Sequence, residues 1–197
     1  MSNSVDLKCF CGQVSGSLEI VPSASFHVHC LCCDCQSYAR FLKNQERILD
    51  EHGGSELFQT YPSLMKITAG AEHIAGVQLA PKGIYRWYAS CCNTPVANTL
   101  GKASVPFVGV SVKFMCFANE QEKLSALGPV TLKAFGKYAV DEMPKDAHPR
   151  FPPSFLPKIL WFMFKGKIGG KNKPSPFFAG DKPVSDVQRL AVTPAGK

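Results

Sequence analysis

The sequence has no long hydrophobic run. Its most apolar stretch, FLPKILWFMF from Phe155 to Phe164, is ten residues long and includes Lys158. That is about half of the ~20 apolar residues a membrane-spanning helix needs, so no membrane partner is expected. The opening MSNSVDLKCFCG has no basic start followed by an apolar segment, and no secretory signal peptide is expected from it. The default compartment is then the cytoplasm, where thiols stay reduced. Internal repeats at a solenoid period are also missing. Charge is sparse: Asp, Glu, Lys and Arg make up 19 % of the chain, against about 25 % in ordinary domains. Apolar content is 45 %, which places the chain among globular proteins and outside the disordered class.

Acidic residues are the scarcer charge, 15 against 22 Lys and Arg, for a formal net charge of +7. The excess is uneven. Residues 1–140 carry a net +2 and residues 141–197 a net +5. A basic end can be a solvated face or a surface for an anionic partner. The 197 residues fit one domain with an elaborated end. We divide them into a β domain over 1–140 and a basic, Pro-rich extension over 141–197 that packs on it. The extension holds 9 of the 15 prolines, yet also six Phe and one Trp, too many aromatics for a disordered tail.

Short strands broken by Gly, Pro and Asn dominate the first part. The pattern predicts strands over Gln13–Val21, Phe26–Cys30, Met65–Ala69, Val77–Ala80, Ile84–Ala89, Val105–Phe117 and Thr131–Phe135, hence a mainly β fold with a few short helices. One short helix is expected over Gln36–Phe41. A second is expected in SFLPKILWFMFKGK, with Ser154 as N-cap and Pro157 in the first turn, where proline is tolerated. Its apolar residues go almost all round, so it is expected to pack into the body.

Cysteine is in excess, with nine. In a reducing compartment such a number reads as metal-binding or catalytic before it reads as a disulfide framework. FHVHCLCCDCQSYAR, Phe26–Arg40, packs four cysteines into six residues. A disulfide demands a Cα separation of about 4.4–6.8 Å and a specific dihedral, terms that cysteines zero or one residue apart rarely meet. A metal gathers thiolates from such spacings around one point.

Two sets follow. Cys9 and Cys11, with Gly12 letting the backbone turn, supply two ligands of a closed structural site, and Cys91 and Cys92 are the natural distant pair. Cys30, Cys32 and Cys35 form a C-x-C-x2-C run whose three thiolates leave one position open, as catalytic zinc sites do. Cys33 can be a ligand that closes this site, a resolving thiol or a bystander, and the last is favoured. An iron–sulfur cluster is the alternative metal chemistry. Cys116, alone in an apolar strand, reads as a small buried hydrophobe. His27 and His29 read as partners of nearby groups, one specific option being an N–H to a metal-bound thiolate.

CFCGQVSGSLEI, then CLCCDCQ, then YRWYASCCNTPVANT resembles the family of glutathione-dependent formaldehyde-activating enzymes, which includes centromere protein V. The resemblance covers roughly Lys8 to Phe117 and rests on C-x-C-G, C-x-C-x2-C-Q and a final C-G/N-T-P in that order. It implies a β-tent of twisted sheets. It also implies two zinc ions, one structural on the first and last cysteine pairs and one catalytic on Cys30, Cys32 and Cys35. The family's last motif is usually C-x2-C-G-T. Aligning its second cysteine with Cys92 puts Ala89 where the first belongs, and Cys91 is the substitute.

The function expected from this resemblance is carbon–sulfur lyase-type chemistry, forming or breaking an adduct between glutathione or another thiol and a small aldehyde such as formaldehyde. Arg40 and Arg86 are the expected partners of the carboxylates of glutathione, since Arg binds carboxylate in a bidentate fashion. The rival expectation is a non-catalytic, zinc-stabilised binding module that works through KGKIGGKNKPSPFF, Lys165–Phe178. Nucleic acid is a less favoured partner, and the sequence does not specify an oligomeric state.

Overall fold

The computed structural model describes residues 4–190; Met1–Asn3 and the last seven residues of the expected extension lie outside the described residues. The fold is mainly β, with several sheets and few short helices. A three-stranded antiparallel sheet is ordered β1 (Ser4–Lys8), β2 (Ser15–Glu19), β5 (Met65–Ala69). The large sheet has eight strands. They run in the order β10 (Leu132–Ala134), β3 (Phe26–Cys30), β4 (Ser55–Thr60), β9 (Val108–Ser111), β8 (Thr94–Thr99), β7 (Tyr85–Ala89), β6 (Ile74–Gln78), β13 (Val187–Arg189). Its six inner strands pair antiparallel, and the two edge strands β10 and β13 join in parallel. A short hairpin, β11 (Phe178–Ala179) with β12 (Lys182–Pro183), stands apart.

The two larger sheets face each other across the main core. β1 alternates exposed and buried residues, so Val5 and Leu7 point inward, as a strand's period of two requires. Leu18, Phe58, Trp87, Val96, Val110 and Phe114 join them. The opposite face of the large sheet carries α1 (Cys33–Phe41) and α2 (Gln45–Ile48), packed through Tyr38, Ala39, Leu42 and Ile48 onto Val77 and Leu79.

The extension is woven into this body. β13 lengthens the sheet beyond β6, and the fully buried Phe177 stacks on Trp87 at 5.1 Å between centroids. α4 (Leu156–Ile168) docks through Phe162, whose ring stacks on Tyr61 at 4.3 Å, and through Gly166. A Cβ at Gly166 would lie within 2.4 Å of the Tyr61 ring. Two expectations about α4 need correction. Ser154 is not its N-cap: Ser154 belongs to a preceding 3-10 turn, Pro153–Phe155, and the helix starts from Phe155 with no side-chain cap. Nor does α4 pack all round. Leu156, Leu160, Trp161, Phe164 and Ile168 stay exposed, because only one side of the helix meets the sheet edge.

Other boundaries shift for local reasons. The strand expected over Val105–Phe117 is limited to β9, because Val112–Phe114 turn into a 3-10 segment that still buries Val112 and Phe114. The expected helix Gln36–Phe41 begins earlier, at Cys33. β1, β4, β8 and a helix α3 (Glu120–Leu127) were not anticipated. β8 has all six residues buried, among them Thr94, Asn98 and Thr99, so it shows no polar alternation to read.

Candidate metal centre

Both cysteine sets sit where chain turns concentrate them. Cys9 ends the strand path of β1, and the chain reverses through Gly12, whose φ of +84° lies in the left-handed region that glycine enters freely. The turn is closed by Gly12 N–H to Cys9 O at 2.9 Å and Cys9 N–H to Val14 O at 2.9 Å. Cys91 and Cys92 occupy the turn between β7 and β8, where Asn93 takes a left-handed φ of +56°, which Asn tolerates better than most residues. That is the physical content of the G/N position in the C-G/N-T-P motif. Two hairpin tips from different sheets are thus brought together.

The four sulfurs of Cys9, Cys11, Cys91 and Cys92 all lie within 4.8 Å of one another. Individual contacts are 3.6 Å for Cys9–Cys11, 3.9 Å for Cys9–Cys91, 3.4 Å for Cys11–Cys91 and 3.8 Å for Cys91–Cys92. These are far beyond a disulfide bond of about 2.05 Å and suit thiolates shared by one cation. Both Cys91 and Cys92 take part. Supporting donors are present: Val14 N–H donates to Cys9 Sγ at 3.2 Å. Thr94 Oγ1 lies 3.0 Å from Cys92 Sγ and accepts from Phe10 N–H at 2.8 Å. Burial raises Cys92, but hydrogen bonds with Thr94 and with the backbone and thiol of Cys11 bring it down to about 6.

Cys30, Cys32 and Cys35 form the second set, also within 4.8 Å. Cys30 is the last residue of β3, and Cys32 is the N-cap of α1. Its sulfur accepts from Cys35 N–H at 3.4 Å, so the start of the helix places Cys35 back over Cys32. Three thiols this close resist ionising together. Cys30 is pushed well above its ordinary range by hydrogen bonds with Cys32 and Cys35 and by burial. Cys32 is pushed up to about 12; its hydrogen bond with Cys30 lowers it, while Cys35 and burial raise it. Cys35 is held well below the ordinary range by hydrogen bonds from Cys30 and Cys32, against burial, with the positive charge of Arg86 assisting.

Arg86 lies beneath this set. It is only 3 % exposed, its Nη1 donates to Cys35 Sγ at 3.7 Å, and its guanidinium is 5.3 Å above the Tyr38 ring. Among the described residues no carboxylate forms an ion pair with it. A buried guanidinium needs a compensating anion, and Cys35 is the one at hand. A cavity of about 20 Å³ lies alongside, lined by Cys35, Tyr38, Ser55, Arg86, Asn98 and Ser111 among others. Asn98 Oδ1 is buried without a hydrogen-bond partner among the described residues. The space suffices for one water molecule.

Arg40, the other arginine expected to meet a carboxylate, is exposed in the last turn of α1 and donates to Ser37 Oγ at 3.0 Å. Cys33 is exposed and outside both sets. Cys116 is exposed, not buried as expected of a lone apolar-strand cysteine: its N–H pairs with Asp6 O at 2.8 Å, which holds it along the edge strand β1. The histidines do not serve the thiolates. His27 Nδ1 faces Gly128 O at 2.9 Å and its Nε2 faces Glu56 Oε2 at 3.1 Å. His29 Nε2 is 2.6 Å from Asp50 Oδ2, off the hydrogen-bonding line. Both side chains leave β3 on the face opposite Cys30, as strand parity requires. Sequence reasoning had placed Arg86 near the site but not under it. Its position on β7 shows in the sequence only as one charged residue between Tyr85 and Trp87.

Among the described residues no helix is long and apolar enough to cross a membrane. No curated protein matches the chain. A crystal structure of a Rhodobacter sphaeroides protein, a structural genomics target, is similar over 64 % of this chain and 96 % of its own, at 18 % identity and a TM-score of 0.44. A family profile matches residues 1–188, and the chain therefore belongs to the family of unknown function DUF6151.

Proposed function

We propose that the chain is a zinc enzyme that forms or breaks an adduct between a thiol, glutathione being the leading candidate, and a small aldehyde at Cys30, Cys32 and Cys35. The observation that carries this reading is the contrast between the two cysteine sets. One gathers four sulfurs. The other gathers three above a buried arginine that has no carboxylate partner among the described residues.

Zinc is the metal both sets suit best. With Zn–S bonds of about 2.3 Å, the sulfurs of a tetrahedral site stand about 3.8 Å apart, and the contacts in the first set run from 3.4 to 3.9 Å. Cys9, Cys11, Cys91 and Cys92 would close a structural site. Cys30, Cys32 and Cys35 would hold a second ion with a position to spare. A bound zinc ion there supplies Lewis acidity and a larger thiolate fraction for a thiol that joins it. The resemblance to the glutathione-dependent formaldehyde-activating enzymes, with their β-tent sheets, supports the same assignment.

In the addition, the thiol sulfur bonds to the carbonyl carbon, the C=O double bond becomes a single bond, and the proton lost by the thiol ends on that oxygen. The chain contributes position and charge. Hydrogen bonds from Cys30 and Cys32 favour the Cys35 anion, and the charge of Arg86 assists from below. The cavity behind Cys35 is water-sized, so a peptide-sized thiol must approach from the outer side, where Cys32 is partly exposed. Arg40 is the arginine free to meet a carboxylate there, because Arg86 is committed to Cys35.

The test is metal content per chain on protein purified under reducing conditions without added zinc, followed by adduct formation from glutathione and formaldehyde above the uncatalysed rate. Two zinc ions and acceleration are expected. A single zinc lost only on unfolding, with no acceleration, would sink the enzyme reading and leave a zinc-stabilised binding module. Iron with sulfide would overturn zinc altogether.

Arg86→Met offers a narrower check. Methionine keeps much of the volume but removes the counter-charge, so the Cys35 thiol rises and protons compete better for it. Affinity at the three-cysteine set is expected to fall roughly 10–100-fold, the usual loss when an outer partner of a ligand is removed, and release is expected to begin at higher pH. Chelator competition across pH reads this directly. Identical release curves for both proteins would show that Arg86 does not act on the ligands.

A further inference from the structure

α4 carries an apolar face that the described residues leave uncovered. Leu156, Leu160, Phe164 and Ile168 recur every fourth residue and so stack into one stripe along the helix. They are 48 %, 67 %, 55 % and 73 % exposed, and Trp161 beside them is 58 % exposed. The Trp161 and Phe164 rings stack at 5.6 Å, holding each other on the surface. Single exposed leucines are ordinary, but a contiguous apolar stripe marks an interaction surface.

The charge along the segment that carries this stripe has one sign. From Ala147 to Gly180 there is no Asp or Glu, while Arg150, Lys158, Lys165, Lys167, Lys171 and Lys173 all lie there. The five lysines are exposed, and Lys165 Nζ sits 5.9 Å over the Trp161 ring. A helix with Trp, Phe and Leu on one side, Lys along its flank and no acid is the pattern of a segment that lies in a membrane interface. At 13 residues and about 1.5 Å each, it reaches roughly 20 Å, short of the ~30 Å bilayer core.

We propose that α4 docks on an anionic lipid surface, its Leu156–Leu160–Phe164–Ile168 stripe and Trp161 entering the boundary between headgroups and acyl chains while the lysines meet the lipid charges. Other occupants fit less well. Nucleic acid would use the two aromatics for stacking and leave the aliphatic stripe in water. A second copy of the chain would set this acid-free basic segment against itself, and like charges oppose that. Such docking departs from the sequence-based expectation of no membrane partner, which rests on the lack of a spanning segment. Surface binding needs only the face that the fold exposes.

The experiment mixes the full chain with vesicles of phosphatidylcholine alone and with vesicles containing phosphatidylserine as well. Trp161 is the reporter, since the other tryptophan, Trp87, is fully buried. Co-sedimentation and a blue shift of emission are expected with the anionic vesicles, weakened by salt. Partitioning is expected to be roughly tenfold or more above neutral vesicles, from the electrostatic pull on several lysines near the surface. The double variant Leu160→Glu, Phe164→Glu changes two exposed positions and is expected to lose binding with unchanged circular dichroism and metal content. The proposal is overturned by an unshifted Trp161 at saturating anionic lipid, or by equal binding of the double variant. Lipid-free dimerisation that the same variant removes would overturn it too, as would an oligonucleotide binding more tightly than the vesicles.

Discussion

Cys32→Ser is expected to lower metal content from two ions per chain to one and to reduce adduct formation to the uncatalysed rate, while the fold survives. The asymmetry follows from where Cys32 sits. As the N-cap of α1 its sulfur accepts the Cys35 N–H. Serine is among the better N-cap residues, so the helix start keeps its hydrogen bond when the thiolate is lost. Serine's oxygen is a far poorer ligand for a soft thiolate site, and two remaining cysteines do not hold zinc tightly. Cys35 is the wrong position for this test, because removing it strands the Arg86 guanidinium in the interior without an anion, a loss of about 3–5 kcal/mol. Metal analysis, thermal melting and the glutathione–formaldehyde assay on Cys32→Ser together decide the matter. Full activity with one metal ion would sink the catalytic assignment of the three-cysteine set.

The features that positioned the cysteines were legible in sequence to unequal degrees. Spacing alone paired Cys9 with Cys11 and grouped Cys30, Cys32 and Cys35, since short separations limit what a chain can bring to one point. The long-range partner set was readable because few cysteines remained to supply it. What spacing could not show was the means: hairpin tips turned by Gly12 and Asn93, one from each sheet. Arg86 was legible as a residue near a motif but not as the anion's partner, because a strand's two faces look alike until the sheet order is known. β8 was missed for a related reason. A strand buried on both faces loses its alternation, and Thr94, Asn98 and Thr99 read as a loop until neighbours satisfy them; Trp87 Nε1, for example, donates to Thr99 Oγ1 at 2.8 Å. α4 was legible as a helix yet misread as buried, since an apolar composition does not say how much of a helix its neighbours cover.

The double variant Cys91→Ser, Cys92→Ser, which leaves the first set only Cys9 and Cys11, is expected to act on stability. Cys91 Sγ contacts Cys11 Sγ at 3.4 Å and Cys9 Sγ at 3.9 Å, linking positions 80 and 82 residues apart. A metal on this set therefore closes a long loop between the tip of the β1–β2 hairpin and the tip of the β7–β8 hairpin. A permanent cross-link over such a loop is worth about 4–5 kcal/mol through the unfolded state, an upper bound for a ligand bond that can reopen. At roughly 2–4 °C per kcal/mol for a domain of this size, the melting temperature is expected to fall by up to about 8–20 °C. Folding itself should persist at low temperature, because Val5, Leu7, Val14 and Leu18 still bury against Trp87, Val96 and Phe114 across the sheets. Thermal melting of wild type and variant, each with and without a strong chelator, separates the terms: the chelator should lower the wild type markedly and the variant little. An equal chelator effect on both would show that the four-cysteine set does not tie the sheets together, and that the hydrophobic core between them holds the hairpin tips in place unaided.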